Sequence, residues 1–103
     1  MTPIPLIIDA MCEAAGTDRV RLAHGRRLND AYARNALAHL LTQFRDWSIR
    51  ESLAYCNYAH GHMGTHLKIL QNPRTQAIIR EAKWLVEQRD RPVGDNFRWE
   101  WPR

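Results

Sequence analysis

The sequence predicts an all-α protein, a five- to six-helix bundle that contains a helix-turn-helix. Apolar residues recur at three- and four-residue spacing in successive stretches, which is the period of a helix face. Helix-starting and helix-stopping residues separate those stretches, and no credible sheet competes with them. A chain of 103 residues has room for one modest hydrophobic core. Residues 1–90 read as the helical domain and 91–103 as an aromatic C-terminal tail.

The first helix follows Pro3 and Pro5, residues tolerated in a first turn, and carries the stripe Ile4, Ile7, Ile8, Met11 and Ala15 up to Gly16. Asp18 is placed to cap a short segment through Ala23, with Gly25 as punctuation. Asn29 or Asp30 caps the next helix, expected to run to about Phe44, with Ala33, Leu37, Leu40, Leu41 and Phe44 on its apolar stripe. Arg34 and Asn35 fall on its wet side. Ser48 and Glu51 have capping-box spacing, with Trp47 placed as a hydrophobic staple. From Ile49 a helix is expected to about Tyr58. The run His60-Gly61-His62-Met63-Gly64 then reads as a turn and Thr65–Leu70 as a further short helix. Asn72-Pro73 combines a cap with a favoured first helical residue, and the final helix runs to about Arg89, packing Ile78, Ala82 and Leu85 with Trp84 at the margin. In the tail, Phe97, Trp99 and Trp101 alternate with Arg98 and Glu100. That pattern suits docking on the core, an edge strand or an anchor for a partner.

Composition narrows the function classes. Apolar residues make up 45% and charged residues 25%, an ordinary globular balance that argues against wholesale disorder. No run approaches the roughly 20 apolar residues of a membrane span, and the apolar start lacks the basic region of a signal peptide. Cys12 and Cys56 have no CxxC pattern, so the expectation is a cytoplasmic protein without a disulfide framework. The formal net charge is +4, and its distribution is more telling. Arg19, Arg21, Arg26, Arg27 and Arg34 stand against one acid, Asp30, across that segment. Arginine presents a planar fork of donors suited to phosphates and guanine edges.

Two short consecutive helices with a glycine-containing turn and a supporting helix before them describe a helix-turn-helix, whose second helix enters the major groove. Ile49–Tyr58 would position and roughly His62–Leu70 would read. The runs Gly25-Arg26-Arg27, Ala33-Arg34-Asn35-Ala36-Leu37-Ala38-His39-Leu40 and Trp47-Ser48-Ile49-Arg50-Glu51 resemble the C-terminal DNA-binding domain of the bacterial replication initiator DnaA. The segment from Ser48 to Thr65 is also similar to the helix-turn-helix of the Trp repressor, of the same superfamily. Together the likeness spans about residues 4–85. It implies that Arg26 or Arg27 enters a minor groove, that Arg50 touches the backbone, and that Thr65 faces bases. The initiator family's Arg-Asp-His-Thr-Thr signature stands here as Gly61-His62-Met63-Gly64-Thr65 after a two-residue insertion, without the Asp-His pair. No Gly-x-x-x-x-Gly-Lys-[Ser/Thr] phosphate loop occurs.

The expectation is therefore a small, Trp-repressor-like protein that binds double-stranded DNA in replication or transcription control, of a kind phages also encode. Its contact set is Arg26, Arg27, Arg34, Arg50, His62, Thr65, His66 and Lys68. With histidines in the interface, binding should strengthen as pH falls toward about 6. A homodimer or protein partner would extend the short site of a single helix-turn-helix. The alternative is a protein-binding module, a phage or host regulatory protein that keeps the helix-turn-helix scaffold but acts by holding a protein partner. Cys56, His60, His62 and His66 offer zinc-type donors, but their spacing matches no established finger. No metal and no cofactor are expected. Without a paired carboxylate or a nucleophile elbow, no catalytic residue and no enzyme activity are expected either.

Overall fold

The computed structural model describes residues 2–56 and 63–90, all of whose regular structure is helical. Six helices follow in order: α1 (Ile4–Ala15), α2 (Arg19–His24), α3 (Leu28–Arg45), α4 (Ile49–Tyr55), α5 (Met63–Leu70) and α6 (Pro73–Arg89). Helices α1, α3 and α6 pack on one another and form the core, while α2, α4 and α5 each lie against α3.

The stripes read from the sequence supply that core. Ile7, Met11, Leu40, Leu41, Ile78 and Val86 are fully enclosed. Small residues at Ala10, Ala33, Ala36, Ala38 and Ala82 are equally enclosed and let the helix backbones approach closely. Leu85 and Phe44 are partly buried against this cluster, and Trp84 faces solvent.

Each end of the bundle is tied by polar contacts. At one end, Asn29 Nδ2 donates to the Ala15 carbonyl at 2.8 Å, joining the start of α3 to the end of α1. At the other, Arg45 Nη1 donates to the Thr2 carbonyl at 3.0 Å, and the Thr2 hydroxyl donates to Asp90 at 2.8 Å. Helix α1 therefore runs antiparallel to α3. Gly16 ends α1 in the left-handed region at φ 66°, its N–H returned to the Glu13 carbonyl, as a glycine C-cap does.

Three local expectations are corrected. Helix α3 starts at Leu28, not after Asn29 or Asp30. Asp30 sits in its first turn as the third helical residue and accepts from the N–H of the N-cap residue, Arg27, at 3.3 Å, the N3 half of a capping box. At α4, Ser48 Oγ does accept from the Glu51 N–H at 3.1 Å. The staple takes another form, because the residue four places into the helix is Ser52 and Trp47 instead meets Tyr55 edge-on at 5.3 Å. Asn35, placed on the wet side of α3, is 1% exposed.

The helices expected to make the helix-turn-helix occur in sequence on the same support, α3. Among the described residues no Cα of α4 lies within 8 Å of a Cα of α5. Residues 57–62, where a turn was expected, lie outside the described residues, as do the last residues of the longer α4 expected from sequence and the tail 91–103.

Leu40→Ala should cost about 2–5 kcal/mol by leaving a cavity in a closed core. Val20→Ala, at a residue 72% exposed, should stay within about 0.5 kcal/mol. Urea unfolding of both variants measures the contrast.

Candidate nucleic-acid interface

The arginine-rich segment folds into α2, a tight turn at 25–27 and the first turns of α3. Asp18 caps α2 by accepting from the Arg21 N–H at 2.8 Å. The centre of the turn is Asp30, 1% exposed. One carboxylate oxygen accepts from the Thr17 hydroxyl at 3.2 Å. The other accepts from the Arg27 backbone N–H at 3.3 Å and from Arg27 Nε at 3.4 Å. Gly25 crosses directly over this group: a Cβ there would collide with the Asp30 carboxylate and the Arg21 carbonyl. Glycine is required at 25 for close approach, its φ being an ordinary −63°.

This arrangement turns Arg26 and Arg27 outward. Both are exposed, and the Arg27 side chain keeps 62% of its surface in solvent despite its contact with Asp30. Arg34 behaves differently. It is half-buried, and its Nη1 donates to the Leu22 carbonyl at 3.2 Å and the Arg21 carbonyl at 3.4 Å, so it satisfies the open end of α2. Of the arginines expected to face a ligand, two are engaged by the fold: Arg34 through a terminal nitrogen on carbonyls of α2, and Arg27 through Nε on Asp30.

Arg50 is exposed at the start of α4, beyond the far end of α3 from Arg26 and Arg27. Eighteen helical residues separate them, about 27 Å at 1.5 Å per residue, so they do not share a cluster. On α5, Thr65 and Lys68 are exposed, as is Leu67 at 53%. His62 lies outside the described residues.

His66 is the main correction among the expected contacts. It is 1% exposed, and its Nδ1 lies 2.7 Å from Asn35 Oδ1. Asn35 Nδ2 donates to the Ala31 carbonyl at 2.7 Å, which orients its oxygen toward the ring and makes His66 Nδ1 the donor. The ring therefore pins α5 to the middle of α3 instead of reaching for a phosphate. Its Nε2 is buried and meets no partner among the described residues. Burial first, and His39 second, push the His66 pKa down from 6.5; His39 is itself pushed down by burial and Lys83. Periodicity alone could not reveal this pairing, because Asn35 and His66 are 31 positions apart.

Of the four zinc-type donors, His60 and His62 lie outside the described residues, which themselves hold no group of three or more metal-ligating side chains. Cys56 is buried and its thiol is pushed up to about 12, mainly by burial, far from the thiolate that metals and electrophiles require. It borders an apolar hollow of about 180 Å³ between α1, α2, α3 and α4, lined by Ile8, Leu22, Ala23 and Leu37 with Arg19 and Tyr55. That lining carries no carboxylate or imidazole for acid–base chemistry.

Compared with known proteins, the chain matches no described protein family, no curated protein and no solved structure. No helix among the described residues is long and apolar enough to cross a membrane.

Two outcomes follow from these contacts. Gly25→Ala should cost about 1–3 kcal/mol through overpacking, whereas Gly64→Ala, in open space on α5, should stabilise by up to about 1 kcal/mol. Chemical denaturation reads both. The neutral form of His66 is favoured by folding, so its stabilisation is complete above the unfolded pKa of about 6.5 and declines as pH falls through the lower folded value. Tm should therefore drop between about pH 7.5 and pH 5.5, and His66→Gln should flatten the part of that drop due to this ring. An unchanged profile in the variant would remove His66 from the titration.

Proposed function

We propose that this chain binds double-stranded DNA, with the Gly25–Arg27 turn on the phosphate backbone or in the minor groove and the exposed side of α5 toward the major groove. The observation that carries the reading is the pinned arginine turn. Enclosing a carboxylate is costly unless its partners compensate, and here the Asp30 carboxylate holds a short backbone segment whose exposed products are two guanidinium groups. A turn already fixed before binding loses little conformational entropy when a ligand arrives, and guanidinium groups match phosphate in charge and shape.

Thr65, Leu67 and Lys68 on α5 supply a hydroxyl, an apolar contact and a cation, the chemistries that meet phosphates, thymine methyl groups and base edges. Arg50, at the other end of α3, suits a backbone contact elsewhere on the same duplex, since about 27 Å covers about eight base pairs at 3.4 Å each. Arg34 and His66 act in this reading by holding α2 and α5 in place. The resemblance to the initiator's DNA-binding domain fits a role in replication or transcription control.

Binding of a labelled duplex should fall steeply as salt rises, with a slope of about 0.9 per phosphate contact on a log–log plot. Arg26→Ala combined with Arg27→Ala should weaken binding and lower that slope by about 1–2. Absent or salt-independent binding by the folded protein overturns the proposal, and the scaffold then reads as a protein-binding module to be followed by pull-down.

A further inference from the structure

The turn between α5 and α6 brings one more arginine to the end of the bundle where α3 begins. Asn72 caps α6 by accepting from the Arg74 N–H at 2.8 Å, and its amide donates to the Tyr32 hydroxyl at 3.3 Å. Arg74 Nε then donates to Asn29 Oδ1 at 3.3 Å. The Asn29 amide nitrogen is itself held by the Ala15 carbonyl at 2.8 Å, so the oxygen facing Arg74 is fixed. Asn29 stands two residues beyond Arg27, which puts its Cα within about 7.6 Å of that residue's Cα. The Arg74 guanidinium is therefore a near neighbour of the pinned arginine turn, although 47 positions separate Arg74 from Arg27.

The partner of Arg74 is informative. Its guanidinium meets a neutral amide, which leaves its charge uncompensated. Among the described residues the ion pairs join Arg19 to Asp9, Arg21 to Asp18, Arg27 to Asp30 and Arg89 to Glu13. None involves Arg74 or Arg26. The bond to Asn29 uses Nε and leaves the two terminal nitrogens, the pair that forms a bidentate fork on a phosphate, without a partner among the described residues.

We propose that Arg74 is a phosphate-contacting residue, held by Asn29 beside Arg26 and Arg27 so that the three guanidinium groups follow neighbouring phosphates of a DNA duplex. This rests on the DNA-binding reading and extends its contact surface from the α2–α3 turn to the start of α6. The sequence offers no hint of it, since Arg74 lies outside the arginine-rich segment and outside both helices of the expected helix-turn-helix.

The test is a salt titration with a random-sequence duplex of about 20 base pairs, long enough for the surface to span. Wild type, Arg74→Ala, Arg74→Lys and Arg80→Ala are compared, Arg80 being an exposed arginine farther along α6. Arg74→Ala should lower the log–log slope by about 0.9, so that the fall in affinity between about 50 and 200 mM salt shrinks about threefold. Arg74→Lys should keep the wild-type slope with weaker binding, and Arg80→Ala should match wild type. The slope, unlike the apparent affinity, is insensitive to a small loss of folded protein, so a merely structural role for Arg74 would leave it unchanged. Steep wild-type binding with an unaltered slope in Arg74→Ala overturns this proposal alone, and an equal loss in Arg80→Ala overturns it in favour of diffuse charge. Absence of wild-type binding overturns the DNA reading itself and Arg74 with it.

Discussion

Among the described residues, α3 is the helix against which all five others pack. Its 18 residues present apolar or small side chains to α1 and α6, and Leu40, Leu41, Ala33, Ala36 and Ala38 are fully enclosed. A helix covered on several sides acts as a ruler. The turn of α3 that each shorter helix meets decides where that helix's polar residues end up. Its start receives the arginine turn and Arg74, its middle receives α5 through Asn35 and His66, and its far end leads into α4 and Arg50.

Two buried polar contacts fix this register more sharply than apolar packing would. Hydrophobic burial is non-directional and tolerates small slides of one helix over another. The Asn35–His66 bond and the bonds to Asp30 tolerate far less, because a buried donor or acceptor left without its partner loses a full hydrogen bond. The first of these contacts removes His66 from the surface, and bonds to the Arg21 and Leu22 carbonyls remove much of Arg34. They turn residues that a basic-interface reading would spend on a ligand into supports for the ones that remain free.

The resulting charge distribution is uneven. Arg19, Arg21 and Arg89 pair with acids across or within helices, while Arg26, Arg27 and Arg74 gather at one end with only a buried Asp30 among them. Exposed ion pairs contribute little to stability. Local neutralisation therefore matters here mainly by deciding which part of the surface still attracts a polyanion at a distance.

Much of the architecture was legible in the sequence, because helix periodicity, caps and stops are local properties. The stripe of α1, the Ser48 cap of α4, the Asn72-Pro73 start of α6 and the core residues Leu37, Leu40, Leu41, Ile78 and Ala82 are all visible in windows of a few residues. The outward arginines at 26 and 27 were visible in the same way, as a cluster poor in acids. Tertiary structure alone decided that Asp30 is buried, that Asn35 faces inward, that His66 is a strut for α5, and that Arg74 stands beside Asn29. Each depends on a partner helix whose position no local window contains. A polar side chain on a helix does not declare whether the space beside it will hold water or another helix, and that difference separates a ligand contact from a support.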